Sequence, residues 1–178
     1  MEEMEDPTEK LKEIQEEVLE NERKEKWTLH VALSTAVVAV LAAIAGLLSG
    51  HHANEAMIEQ IKAGNQWSYY QAKSIKSELA VSTAQLMVAV GKPAAGDQEA
   101  KQVRYEKEKE EIKKEAEQCE KNAEGHLRQH TILAKSVTIF QIAIAIAAIS
   151  ILARKKRLWH VCLLLSAVAC GFLILGII

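Results

Sequence analysis

Five side chains that can bind metals or accept protons lie near the ends of two apolar segments. His51 and His52 follow the first segment, and Glu55 comes one helical turn later. His126 and His130 precede the second segment at a spacing of four, which places both on one helix face. Joined across two helices, such imidazoles can bind Zn²⁺ or another transition metal, or they can respond to pH. The remaining interpretation is interfacial polar groups without a ligand, since no His-Glu-x-x-His or Cys-x-x-Cys motif accompanies them.

A second group combines aromatic and basic side chains: Trp67, Tyr69, Tyr70, Lys73 and Lys76. It holds three of the eight aromatic residues of the chain. One interpretation packs the rings into a helical seam or a subunit interface. The other is a recognition patch, because Trp and Tyr are enriched in binding hot spots. In that case the two lysines would contact an anionic ligand.

No pattern of reactive side chains predicts catalysis. Cys119 stands alone, and Cys162 and Cys170 lie in an apolar segment, so the three cysteines form no disulfide framework. A nucleophile–base pair, a glycine-rich phosphate loop and a paired-carboxylate motif are all missing from the sequence. We therefore predict a protein that is not an enzyme and needs no cofactor. The charges alternate in sign and sum to −2, which disfavours nucleic acid as a partner.

Three apolar blocks position these groups. Residues 27–49 and 158–178 contain no Asp, Glu, Lys or Arg, and residues 132–153 contain one Lys. A helix of about 20 apolar residues crosses the hydrocarbon core of a bilayer. The blocks therefore predict an all-α membrane protein with three transmembrane helices, and the lipid bilayer as its first partner.

Basic residues beside the apolar blocks predict the orientation. Arg23, Lys24 and Lys26 precede the first block, and four consecutive basic residues form a turn at 154–157. Three crossings place both clusters on one side, which the positive-inside rule assigns to the cytoplasm. The N-terminus is then cytoplasmic, and residues 50–131 lie on the extracytoplasmic side.

Residues 50–131 have the pattern of two helical arms joined by a Gly-Pro turn at 91–96. Apolar positions share one face in the first arm (Met57, Ile61, Ala72, Ile75, Leu79, Leu86 and Val90) and recur every three or four residues in the second (Ile112, Ala116, Cys119, Ala123 and Leu127). We predict a long extramembrane antiparallel helical hairpin, with these faces as a seam of coiled-coil type. Residues 1–26 are predicted to form an acidic amphipathic arm, with Asp6 as N-cap before Pro7.

Small residues recur at a spacing of four within the apolar blocks: Ala42, Gly46 and Gly50 in the first, Ala143 and Ala147 in the second, and Cys162, Ser166 and Cys170 in the third. Such ridges allow helices to pack closely in a membrane. Gln141 is a polar residue near the middle of the second block, where it needs a hydrogen-bond partner or a wet cavity.

Two stretches of the sequence resemble a known family. They are His51-His-Ala-Asn-Glu-Ala56 and Gln66-Trp-Ser-Tyr-Tyr-Gln-Ala-Lys-Ser-Ile-Lys76. With the order of the apolar blocks, they are similar to the bacterial membrane proteins catalogued as domain of unknown function 4337. The resemblance implies a bacterial inner (cytoplasmic) membrane protein with three spans. It implies no activity, substrate or ligand.

Two functions follow from these patterns. The first is a non-enzymatic scaffold or interaction protein that forms a homo-oligomer through its hairpin and small-residue ridges. The alternative is a channel or transport component whose pore is lined by polar residues of the second transmembrane helix. Because Gln141 is almost alone as an intramembrane polar residue of that helix, we favour the scaffold.

Overall fold

The computed structural model describes residues 7–92 and 96–178, and these ranges form three helices and no strand. Helix α1 runs from Pro7 to Ala89, α2 from Gly96 to Ala153 and α3 from Lys156 to Ile177. The all-α prediction is confirmed. Each helix contains a segment long and apolar enough to cross a membrane. The predicted N-cap Asp6 and residues 93–95 of the predicted turn lie outside the described residues.

Helix α1 ends in a Schellman motif at Gly91. This glycine has a φ of +73°, a conformation that costs other L-residues energy. The amide of Gly91 donates to the carbonyl of Val88 at 3.0 Å, and the amide of Lys92 donates to the carbonyl of Met87 at 2.9 Å. These bonds satisfy carbonyl groups that the end of the helix leaves unpaired. The predicted start of the turn at residue 91 therefore has a specific backbone cause.

The connection between α2 and α3 uses the same motif without glycine. Arg154 has a φ of +52°, and the amide of Lys155 donates to the carbonyl of Ser150 at 3.2 Å. The Ser150 hydroxyl donates in return to the carbonyl of Lys155 at 3.1 Å. Two residues therefore connect the helices, whereas the sequence predicted a basic turn of four residues, because α3 begins within that turn.

The chain divides into two compact units. We call Met1–Leu48 together with Ile132–Ile178 the apolar unit, and Ser49–Thr131 the charged unit. The core of the apolar unit is built from all three helices. Its buried residues are Val31, Val38, Ala45, Leu133, Phe140, Ala143, Ala147, Cys162, Ala169 and Leu173. The small side chains among them let the helices approach closely.

Close packing of α2 and α3 shows at two positions. The buried Ser136 hydroxyl donates to the carbonyl of Ala169 at 2.8 Å. A methyl group added to Gly176 would lie 2.6 Å from Cγ of Leu133, which is fully buried. Gly171 has open space at the corresponding point. Glycine at 176 therefore permits a contact that alanine would obstruct.

The interior of the charged unit consists mainly of small side chains. Its buried residues are Ala63, Ser77, Ala80, Ile112, Ala116 and Ala123, with Ser49 at its edge. Of the apolar positions predicted for the seam in α2, Ile112, Ala116 and Ala123 are buried, whereas Leu127 is exposed. The prediction for α1 is wrong, because the face from Met57 to Val90 is exposed and the opposite Ala/Ser face packs against α2. The face with small side chains packs inward because such side chains let two helix backbones come closer than large ones do.

Polar contacts tie α1 to α2 within the charged unit. Gln66 donates to Glu115 at 2.9 Å, and Ser77 donates to Glu106 at 2.9 Å. Asn122 donates to Glu59 at 3.4 Å, and Lys73 forms an ion pair with Glu108. Residue numbers along α2 fall as those along α1 rise. Each of these contacts therefore joins a hydrogen-bond donor on one helix to a carboxylate on the other.

Candidate functional site

Histidines from α1 and α2 meet in the charged unit. His52 and His126 are both half-buried, and their Nδ1 atoms lie 3.1 Å apart. Their ring centroids are 5.4 Å apart, with an angle of 30° between the planes. At this distance one ring donates a proton and the other accepts it, so at least one imidazole must be neutral. The structure thus brings together one histidine from each of the two pairs singled out in the sequence.

His130 has a different partner, Ser49. The Nδ1 atom of His130 lies 2.9 Å from the carbonyl oxygen of Ser49 and 3.0 Å from its hydroxyl. The Ser49 hydroxyl also reaches the carbonyl of His130 at 3.3 Å. A carbonyl only accepts hydrogen bonds, so the contact to it requires the proton on Nδ1 and leaves Nε2 as the free nitrogen of the neutral ring. Sequence reasoning missed Ser49, because a serine at a span end carries no signal of its own.

The surroundings of His52 disfavour its protonated form. Burial lowers the pKa of His52 below its ordinary value, and the nearby imidazoles of His126, His51 and His130 lower it further. Glu55, on the same helix, acts in the opposite direction. His51 is exposed, with its ring centroid 5.4 Å from that of His52. The five predicted residues are therefore one electrostatic neighbourhood centred on the His52–His126 pair.

This geometry favours proton chemistry over metal binding. Among the described residues, no group of three or more His, Cys, Asp or Glu side chains is arranged to hold a metal ion. The Nδ1 atoms of His52 and His126 point at each other, and a metal on either would break that contact. The metal site stays a prediction from the sequence.

The aromatic and basic patch lies against α2. The Trp67 indole donates to Glu120 at 2.8 Å, and its ring meets Tyr70 edge to face at 5.6 Å. The Lys73 ammonium, paired with Glu108, lies 5.2 Å from the Tyr69 ring centroid. Lys76 is exposed. Trp67, Tyr69, Tyr70 and Lys73 thus have contacts within the chain. Tyr69 and Lys76 are the exposed members of the patch.

Another polar cluster was not anticipated from the sequence. Glu59 accepts hydrogen bonds from Lys62 at 2.6 Å and from Asn122 at 3.4 Å, and the first of these is the main cause of its lowered pKa. Cys119 lies beside Glu59, and its pKa is raised by burial and then by this carboxylate. A raised pKa makes the thiol less reactive. The cluster depends on the register between α1 and α2, which spacing within one helix does not determine.

The predicted small-residue ridges have two fates. Ala143, Ala147, Cys162 and Ser166 are buried in the apolar unit, and Cys170 is half-buried. Ala42 and Gly46 are half-buried, and Gly50 is exposed. Side chains added at Gly46 and Gly50 would meet nothing within 4 Å. The ridge of α1 is therefore not fully used inside the chain.

Gln141 is exposed on α2. Within the part of the chain that the structure describes, its amide has no hydrogen-bond partner. Ala134, Thr138, Ala145 and Ala148 lie on the same helix face, and all four are small. The predicted hydrogen bond from Gln141 to a neighbouring helix is therefore not found within the described chain.

Comparison with known proteins identifies one related group. The family model described as Domain of unknown function (DUF4337) matches residues 27–178, which contain the histidine pair, the aromatic patch and all three apolar blocks. No curated protein matches the chain, and no solved structure matches it.

Proposed function

The chain belongs to the DUF4337 family, and since that membership brings no activity, we propose from the geometry that it is an integral membrane protein acting as a non-enzymatic, homo-oligomeric scaffold. Its three apolar helical segments have the length and composition to anchor it in a bilayer. The charged unit then forms an antiparallel helical hairpin outside the membrane. The falling and rising residue numbers of the α1–α2 contacts support that arrangement.

One observation carries the proposal: large apolar side chains of the charged unit face outward while small ones fill its interior. Along α1 they form what we call the outer stripe, and its members are Met57, Ile61, Ile75, Leu79, Leu86 and Val90. Lipid cannot cover this stripe in an extramembrane segment. Burying such a side chain is worth about 1.5–3 kcal/mol. A second copy of the chain is the occupant that we propose.

The spacing of the outer stripe suits contact between parallel copies. Met57, Leu79 and Val90 are separated from one another by 11 residues or a multiple of 11, and Ile75 and Leu86 are 11 residues apart. Eleven residues make three helical turns, so a repeat of this length keeps one face aligned along a nearly straight helix. Copies inserted in the same membrane with the same orientation present these stripes side by side.

The membrane segment offers a second contact surface. An unpaired amide facing lipid is costly, whereas paired Gln141 side chains from two copies would satisfy each other. The small residues around Gln141 allow the helices to approach for this purpose. A pore is less well supported, because the buried hydroxyls of Ser136 and Ser166 donate to backbone carbonyls and are not free to line a path.

Cysteine cross-linking tests the scaffold. In a chain with its three native cysteines replaced, Ile75→Cys should form a disulfide between copies, because the stripes meet at equivalent residues. Lys76→Cys, exposed on a different part of the same turn, should not. Intact mass in nanodiscs should show more than one chain. A monomer at every protein concentration, or equal cross-linking of both variants, would contradict the proposal.

We propose that the N-terminus and residues 154–157 lie in the cytoplasm and that the charged unit lies outside the cytoplasm. The basic clusters on either side of the spans support this orientation. A reporter that is active only in the cytoplasm should be inactive when inserted after Lys92 and active when fused to Met1. The reverse result would place the charged unit inside the cell.

A further inference from the structure

A cavity of about 1120 Å³ lies in the apolar unit beside the α2–α3 connection. It is lined by nine residues between Glu20 and Ala32 of α1, by Ile151 and Leu152 of α2, and by Arg154 and Lys156. Neither the histidine pair nor the outer stripe uses it. Its walls differ in character: one end is charged and the other apolar.

The charged end is basic. Arg23, Lys24, Arg154 and Lys156 line it, against two acidic residues, Glu20 and Glu25. Lys24 pairs with Glu20 at 3.0 Å. Within residues 7–92 and 96–178, the other three cations form no ion pair. Three cations without a described ion pair, together at one end of a cavity, attract an anion.

The turn between α2 and α3 determines which basic side chains line the cavity. The Schellman motif and the Ser150 hydroxyl hold the backbone of Arg154 and Lys155. As a result Arg154 and Lys156 line the cavity, whereas Lys155 and Arg157 do not. Helix α3 begins here, its N-terminus has no side-chain cap, and its first turn has no acidic residue. Free amides at a helix N-terminus add a further attraction for an anionic group.

The other end is apolar. Leu29, Ala32, Ile151 and Leu152 line it, and Leu29 and Leu152 are largely exposed. Trp27 stands between the two ends. Its indole Nε1 is buried and has no hydrogen-bond partner among the described residues. A free phosphate ion would satisfy the basic end and leave this wall uncovered.

We propose that this cavity binds an anionic phospholipid of the cytoplasmic leaflet. The phosphate group lies among Arg23, Arg154 and Lys156, and an acyl chain lies along Leu29 and Leu152. Trp27 occupies the boundary, as Trp commonly does at membrane interfaces. The phosphate chemistry is shared with inorganic phosphate, and the apolar wall distinguishes the lipid.

The test uses the full chain in nanodiscs containing equal amounts of phosphatidylglycerol and phosphatidylcholine. Mass spectrometry of the released protein counts the lipids that it retains. The wild type should retain phosphatidylglycerol preferentially. Each basic residue contributes about 1 kcal/mol to such binding, so R154Q/K156Q should weaken retention on the order of thirtyfold. R23Q, on another helix, should weaken it roughly fivefold.

The connection supplies a matched control, K155Q/R157Q, which removes the same charge from side chains that do not line the cavity. This variant should retain phosphatidylglycerol as the wild type does, and helical content by circular dichroism should be equal in all of them. Equal losses in both double variants would overturn the proposal, because only general surface charge would be involved. Excess inorganic phosphate should not displace the lipid. Binding of phosphate with no preference between the two lipids would also overturn it.

Discussion

Ile75→Glu together with Leu79→Glu should convert the oligomer into a monomer. These side chains are 66% and 64% exposed within one chain, so the change leaves the interior of the charged unit untouched. In the assembly each copy would lose two buried apolar groups, at about 1.5–3 kcal/mol each, and would place carboxylates against each other. The dissociation constant should rise at least a hundredfold, measured by intact mass across a range of protein concentrations.

A charge-matched variant separates this effect from general repulsion. Lys76→Gln with Gln85→Glu changes the net charge by the same amount at exposed positions away from the outer stripe. That variant should remain oligomeric. If both variants dissociate alike, or neither does, the outer stripe is not the contact between copies.

Acidification should loosen the charged unit at the histidine pair. The Nδ1 contact of His52 with His126 needs one neutral ring, and double protonation would leave two N–H groups facing each other. Loss of one hydrogen bond, worth about 1 kcal/mol, corresponds to roughly fivefold faster opening. Hydrogen exchange of the amides around residues 52 and 126 should therefore accelerate by about that factor between pH 7.5 and pH 5, after correction for intrinsic exchange.

The direction follows from the pKa of His52. Burial and the neighbouring imidazoles lower this pKa in the folded chain, so the unfolded chain binds the proton more readily. The stabilisation is complete above the ordinary histidine pKa of about 6.5 and is lost as the pH falls below it toward the lowered value. Glu55, whose charge raises the pKa of His52, moderates the loss.

Aromatic substitution provides the control for this prediction. His52→Phe with His126→Phe removes both partners and keeps two rings, so stability should change little at pH 7.5 and the pH dependence should disappear. His51→Asn leaves the His52–His126 pair intact, so this variant should keep most of the pH dependence. Exchange that is indifferent to pH in the wild type would leave these histidines as plain polar groups.

The three helices, each with a segment long and apolar enough to cross a membrane, were predictable from the sequence. Uncharged blocks of more than 20 residues admit few structures other than a membrane helix, since every backbone polar group must be satisfied without water. The end of α1 was predictable too, because Gly91 is free to take a positive φ. The five-residue histidine neighbourhood was found for the same kind of reason: residues at span ends lie near one another when helices are continuous.

Which helix faces and side chains contact each other was decided only by the tertiary structure. Periodicity shows that α1 has an apolar face but not which face packs inward, and the large residues of the outer stripe were assigned to the wrong side. The Ala/Ser face packs against α2 because small side chains let the backbones approach, and that contact fixes the register. The register in turn places His52 against His126 and lets His130 hydrogen-bond to Ser49. It also joins Glu59 to Asn122, a contact that no spacing along a single helix contains.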